Sequence, residues 1–189
     1  MTHTESVDEA EIAAAVAALT TDTAHAHLNG EPPRSGVYGI RLTTPGLLAP
    51  FKEGDGGLIY CGMSSDLEVR EFDNHFNSAQ TGFSTLRRSL GAILKEQLGL
   101  AARPRGSGAS KTNFINYRFD PAGDDRLTEW MRKHLKVRTW PTRKYESLEA
   151  ILKPRLRPLL NLEDWNPHNR AIRSLRKVCA DEARLQRRP

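Results

Sequence analysis

Cysteine is almost missing from this chain, with two thiols, Cys61 and Cys179, among 189 residues. Two cysteines so far apart make neither a disulfide scaffold nor a CxxC zinc site, and they suit a reducing cytoplasm. Long apolar runs are also lacking, and none approaches the roughly 18 residues of a membrane span. The opening residues, MTHTESVDEAEIAAA, are acidic where a secretory leader is basic. Membrane, secreted and zinc-finger classes are thereby set aside, and a cytoplasmic protein is expected. What is present, 38% hydrophobic and 27% charged residues, is the composition of a globular chain long enough to enclose a core without staples.

Charge of one sign is scarce in one place only. Residues 1–35 carry six acids (Glu5, Asp8, Glu9, Glu11, Asp22, Glu31) against Arg34, whereas the remainder carries 27 bases against 17 acids. A basic body with an acidic leader points to a polyanionic partner, because Lys and Arg displace counterions from phosphates. A solvated basic surface is the bland alternative. The leader helix is expected to dock on a basic patch of its own body or of a second copy.

Apolar spacing predicts an amphipathic helix over 7–20, followed by turn chemistry at NGEPPRSG. Val37–Leu42 and Leu58–Cys61 read as strands, with a long Gly/Pro-rich loop, 43–57, between them. A helix is expected over about 66–76, and another from Ser84 as N-cap to Gly99 as stop. Residues 101–112 read as flexible, and Phe114–Phe119 as a strand closed by the turn Asp120–Gly123. A short helix over 127–135, a strand over 137–140 and a helix over 145–152, broken near Pro154, follow. A basic amphipathic helix after Asn169 closes the chain, with Ala171, Ile172, Leu175, Val178 and Cys179 inward. The fold class is α+β, a small sheet of about three mostly antiparallel strands flanked by helices. Three segments are expected: 1–34, accessory helix and linker; 35–162, the core domain; 163–189, a basic helical extension.

Two short motifs carry chemistry, Gly36-Val37-Tyr38 on the first strand and Tyr60-Cys61-Gly62 ending the second. Arg70 lies eight residues after Gly62. Leu148-Glu149 is followed by two aliphatics, by Pro158 nine residues on and by Asn161 twelve on. This ordered set resembles the GIY-YIG nuclease superfamily, specifically a stand-alone bacterial member, over about residues 35–162. The resemblance implies a nuclease site: Glu149 holding one Mg²⁺ or Mn²⁺, Tyr38 as the base toward water, Tyr60 bonding the phosphate or the water network, and Arg70 on phosphate oxygens. It gives Gly36, Gly62 and Asn161 structural roles near the site. Glu146, one turn before Glu149, is a rival metal ligand, and His75 is read either as an auxiliary base or phosphate contact or as a surface histidine.

These residue types suit phosphodiester hydrolysis. A single carboxylate can hold a hard cation that keeps most of its water shell, an arginine fork matches phosphate oxygens, and a phenol, with an ordinary pKa near 10, needs activation to serve as a base. Nine bases between 132 and 157 flank Glu149, Arg143 and Lys144 among them, and Arg87, Arg88, Arg103, Arg105 and Lys111 form a second basic stretch. Both are expected to meet nucleic acid. The leading reading is a metal-dependent endonuclease acting on DNA, single- or double-stranded, working as a homodimer or by two successive nicks. The other readings are an RNA-directed nuclease and a non-catalytic nucleic-acid-binding module on the same fold.

Overall fold

A computed structural model describes residues 6–22, 34–67 and 75–186 of the chain. These residues fall into two compact units, one within 1–71 and 135–161, the other within 72–134 and 162–189. The architecture is α+β, as expected. The described residues contain six α-helices, a three-stranded antiparallel sheet and a separate two-stranded ribbon.

The first unit is built on a sheet of β1 (Gly36–Leu42), β2 (Leu58–Ser64) and β5 (Leu135–Pro141), in the order β2-β1-β5. Its middle strand, β1, is covered on both faces, which is why its sequence reads as an almost unbroken buried run rather than an alternation. Helix α1 (Glu9–Thr20), capped by the Asp8 carboxylate accepting from the Glu11 N–H at 2.7 Å, and helix α5 (Tyr145–Leu156) share one core with this sheet. Ile12, Ala15 and Leu19 of α1 and Leu148, Leu152 and Leu156 of α5, each set on one helical stripe, enclose Val37, Leu58 and Cys61. Gly39 accommodates this packing, because a Cβ there would lie 2.8 Å from Leu58 and 3.4 Å from Leu19. Residue 36 must likewise be glycine, since a Cβ would lie 2.4 Å from the Trp140 carbonyl across the β1–β5 pairing.

The second unit holds α2 (Thr85–Ile93), β3 (Ala102–Arg103), α3 (Lys111–Ile115), β4 (Arg118–Phe119), α4 (Pro121–His134) and α6 (Asn169–Leu185). Ser84 caps α2 as expected, accepting from the Arg87 N–H at 3.2 Å. The Arg87 side chain is fully enclosed. It donates to Asp124 at 2.7 Å, to Thr128 at 2.8 Å, to Thr81 at 3.0 Å and to the His75 carbonyl at 2.9 Å. Thr81 also donates to the same Asp124 oxygen. Gly91 lets the Phe119 ring lie against α2, where a Cβ would approach the ring to 2.2 Å.

Several expected boundaries move. Residues 114–119 do not form one strand: Lys111–Ile115 is helical, closed by a capping box between Ser110 and Asn113, and only Arg118–Phe119 pairs, with β3. The turn expected at Asp120–Gly123 is the first turn of α4, where Pro121 needs no N–H partner and Asp120 accepts from the Gly123 N–H at 3.0 Å. Helix α2 stops at Ile93 rather than Gly99. Helix α5 continues through Pro154 because Leu152 and Leu156 are both held in the core, and it ends at Arg157 in the left-handed region, φ 49°. On α6, Ile172, Cys179 and Ala183 point inward, whereas Ala171 and Val178 are exposed. Among the described residues no helix is long and apolar enough to cross a membrane. The helix expected over 66–76 lies almost entirely outside them.

Removing one partner of the enclosed Arg87–Asp124 pair leaves a buried charge without compensation. Asp124→Ala should therefore lower the unfolding free energy by about 3–5 kcal/mol, read as a shift of the urea midpoint. A change under about 1 kcal/mol would show that the pair is not what holds this unit.

Candidate active site

Strands β1 and β2 pair with Tyr38 opposite Gly62 and Ile40 opposite Tyr60, so the two tyrosines sit on one face as diagonal neighbours. Their ring centroids are 6.1 Å apart with planes tilted by 35°. Tyr38 is buried and Tyr60 half-buried. The Tyr38 hydroxyl lies over Gly62, where a Cβ would come within 2.6 Å of it. The glycine of the second motif thus makes room for the phenol of the first, and the two motifs act as one object.

Asn161 fixes β2 from the other side. Its carboxamide accepts from the Cys61 N–H at 2.9 Å and donates to the Cys61 carbonyl at 2.8 Å. Beside it the Leu160 N–H donates to the Ile59 carbonyl at 2.7 Å, and the Asn161 N–H reaches the Pro158 carbonyl at 3.4 Å. The Pro158–Asn161 turn after α5 is therefore stitched along the free edge of β2, which explains why proline and asparagine stand at those offsets from Glu149.

Glu149 is half-buried on α5 and paired with Lys153, one turn on, at 3.1 Å. Its carboxylate lies close enough to β2 to act on Cys61: burial first, then the Glu149 charge, push that thiol up to about 12, while Lys153 pulls the other way. Glu146 is exposed in the first turn of α5. Among the described residues no three His, Cys, Asp or Glu side chains cluster as a metal cage. A lone carboxylate still fits a small hard cation that keeps its own waters.

Tyr38, Tyr60, Glu149 and Asn161 all belong to the first unit, and His75 belongs to the second. His75 is buried, with Nδ1 3.0 Å from the Ser84 hydroxyl. An enclosed imidazole tied to a helix cap is not a surface histidine. Arg70 lies outside the described residues, while Leu67 before it packs against Gly36.

Burial also removes two residues from the expected nucleic-acid surface. Arg87 is spent on Asp124, and Arg88, 5% exposed, donates to the carbonyls of Thr81 at 3.2 Å and Gly82 at 3.0 Å. Arg103 and Arg105 are half-buried, and Lys111 and Arg143 are exposed. Lys144 pairs with Glu11 of α1 at 3.2 Å. The acidic leader docks on its own body. Glu9 meets Arg155 at 2.8 Å and Asp22 meets Arg138 at 2.7 Å, with Lys136 at 3.8 Å. With Lys153 on Glu149, five of the nine bases counted between 132 and 157 are thus in ion pairs. A tally of bases along the sequence misses such pairing. The Glu149–Lys153 pair was open to the i, i+4 rule, whereas the Glu11–Lys144 pair has no local signal.

A family model described as the GIY-YIG catalytic domain matches residues 48–178. The match takes in β2, Glu149 and Asn161, and begins downstream of Tyr38, whose place rests on its pairing with Gly62. No curated protein and no solved structure matches the chain.

Asn161→Ala leaves a buried N–H and a buried carbonyl on β2 without their partner, and should cost about 2–4 kcal/mol of stability, measured by denaturant unfolding; an unchanged midpoint would dismiss the clamp. A thiol reacts as its thiolate, so Cys61, held protonated well above neutral pH, should resist iodoacetamide at pH 8 in the folded protein and react once urea unfolds it. Fast labelling of Cys61 in the folded protein would contradict the burial.

Proposed function

We propose that this chain, which belongs to the GIY-YIG family, is a cytoplasmic endonuclease that cuts DNA with the help of a divalent cation. The family membership supports a nuclease-type hydrolase acting on nucleic acid. The observation that carries the finer reading is the joining of both motifs through Tyr38 and Gly62, with Glu149 held toward the same strand.

Glu149 would hold Mg²⁺ or Mn²⁺, a Lewis acid for the scissile phosphate. Lys153, its present partner, would yield that oxygen or share the carboxylate. Tyr38, once its own proton has passed to solvent, would as phenolate orient the attacking water and take up one proton, which restores the phenol that Gly62 and the neighbouring ring hold in place. Tyr60, more exposed, would donate its hydroxyl to a non-bridging phosphate oxygen. Arg70, at its spacing from Gly62, would set a permanent positive fork on the phosphate as charge builds there. Asn161 positions β2 and touches no reacting atom. One such site cuts one strand at a time, so breaking a duplex calls for two successive nicks or a second copy.

Cleavage of single-stranded, double-stranded and branched DNA with Mg²⁺ or Mn²⁺ tests this reading. Glu149→Ala should reduce cleavage at least about a hundredfold, the scale of losing one transition-state-stabilising group, with the unfolding midpoint unchanged. Glu146→Ala should cut like the parent. Undiminished cleavage by the Glu149 variant would sink the assignment. No cleavage by the parent, with salt-sensitive binding intact, would make the chain a binding module.

A further inference from the structure

In the second unit the short 3₁₀ turn Thr81–Phe83 presents a large apolar ring to solvent, Phe83 being 72% exposed. The Arg105 guanidinium lies over that ring, 5.0 Å from its centroid, and donates to the Gly82 carbonyl at 3.2 Å. Most of the residue's surface stays exposed despite that contact. Residue 82 must be small for this, since a Cβ there would lie 2.9 Å from the Arg105 side chain. Arg118, exposed on β4, donates from its Nε to the Pro104 carbonyl at 3.3 Å. Phe83, Arg105, Asn113 and Arg118 line one open groove, and among its described lining residues none is acidic.

Positive charge accumulates behind the groove as well. Arg88 donates to the same Gly82 carbonyl as Arg105, and its Nε is buried with no partner among the described residues. Burial first, then the charges of Arg176 and Arg105, bring the Arg88 guanidinium down to about 10. Two guanidiniums, those of Arg88 and Arg105, thus converge on one carbonyl, and a bound polyanion relieves the repulsion between such like charges. An arginine-flanked aromatic face with no acid beside it is the chemistry of a strand with unstacked bases: rings accept bases of any sequence, and arginine forks take the phosphates. A paired base cannot lie on such a ring, because its faces are occupied within the duplex.

We propose that the groove bounded by Phe83, Arg105, Asn113 and Arg118 holds a single-stranded stretch of the DNA substrate, one base stacked on Phe83 and its phosphates on the two arginine forks. This assignment rests on the reading of the chain as a nucleic-acid enzyme and narrows its substrate to DNA with an unpaired segment.

The test is binding rather than cleavage, with EDTA present, using a labelled single-stranded oligodeoxynucleotide and a duplex of the same length. Phe83→Ala should weaken single-strand binding by about five- to a hundredfold, the range for losing one stacked base, and leave duplex binding within about twofold. Phe83→Trp should restore it. Arg105→Ala and Arg118→Ala should each lower the salt dependence of single-strand binding by about one ion. Melting midpoints for each variant separate loss of the groove from loss of the fold. Equal single-strand affinity for parent and Phe83→Ala, equal loss on both probes, or no binding by the parent would overturn the assignment. If the parent cleaves DNA while Phe83→Ala binds normally, the groove is wrong and the nuclease stands. If the parent never cleaves yet Phe83→Ala loses single-strand binding selectively, the groove stands and the nuclease falls.

Discussion

The Asn161 carboxamide does for β2 what a fourth strand would do, accepting from one backbone N–H and donating to the carbonyl of the same residue, Cys61. An edge strand otherwise offers its unpaired groups to any chain that approaches. Here that edge is closed by the turn that leaves α5, so the strand bearing Tyr60 and Gly62 and the helix bearing Glu149 are set against each other. The Tyr38 phenol over Gly62, the tilt of the two rings and the carboxylate's reach toward Cys61 all follow from where β2 lies. A carboxamide suits this place because it offers a donor and an acceptor side by side with no charge to bury.

Charge in this protein has two uses that composition cannot separate. Some of it is internal: Arg87 is enclosed with Asp124, and much of the basic surface of α5 and β5 is matched by Glu9, Glu11 and Asp22 of the leader. The rest is outward, on residues such as Arg118, Lys111 and Arg143. The net excess of +5 therefore understates how unevenly attraction for phosphate is distributed. Much of the positive charge near Glu149 has already been neutralised by the protein itself.

The parts that could be read from the sequence were those written in fixed offsets. Tyr38 and Gly62 face each other, with Tyr60 diagonal to Tyr38, because strand pairing is local in register, and Pro158 and Asn161 stand where they do because a single turn must reach β2. The fold class followed from the same run of strands and helices. What failed rested on properties a one-dimensional pattern does not carry. Phe114–Phe119 alternates like a strand, yet Ser110 and Asn113 close a helical turn at its start and only two residues pair. Arg87 and Arg88 look like surface bases because nothing near them in sequence announces Asp124, some 37 residues away. His75 was legible as a residue of interest and not as a buried one, since its partner Ser84 already served as a helix cap.

The two units are interleaved along the chain. Strand β1 pairs with β5 from Gly36 against Pro141 to Leu42 against Leu135, with most of the second unit inserted between them, and that unit in turn waits for α6. Contacts so distant in sequence carry a large loop-closure cost before they stabilise anything. Folding of the insert shortens the effective gap between β1 and β5. During synthesis, then, β1 and β2 can meet as soon as both have emerged, but β1 must wait for residue 141 to find β5, and the clamp on β2 must wait for residue 161. The candidate site is thus finished only when the turn after α5 has been made, well after its two tyrosine-bearing strands.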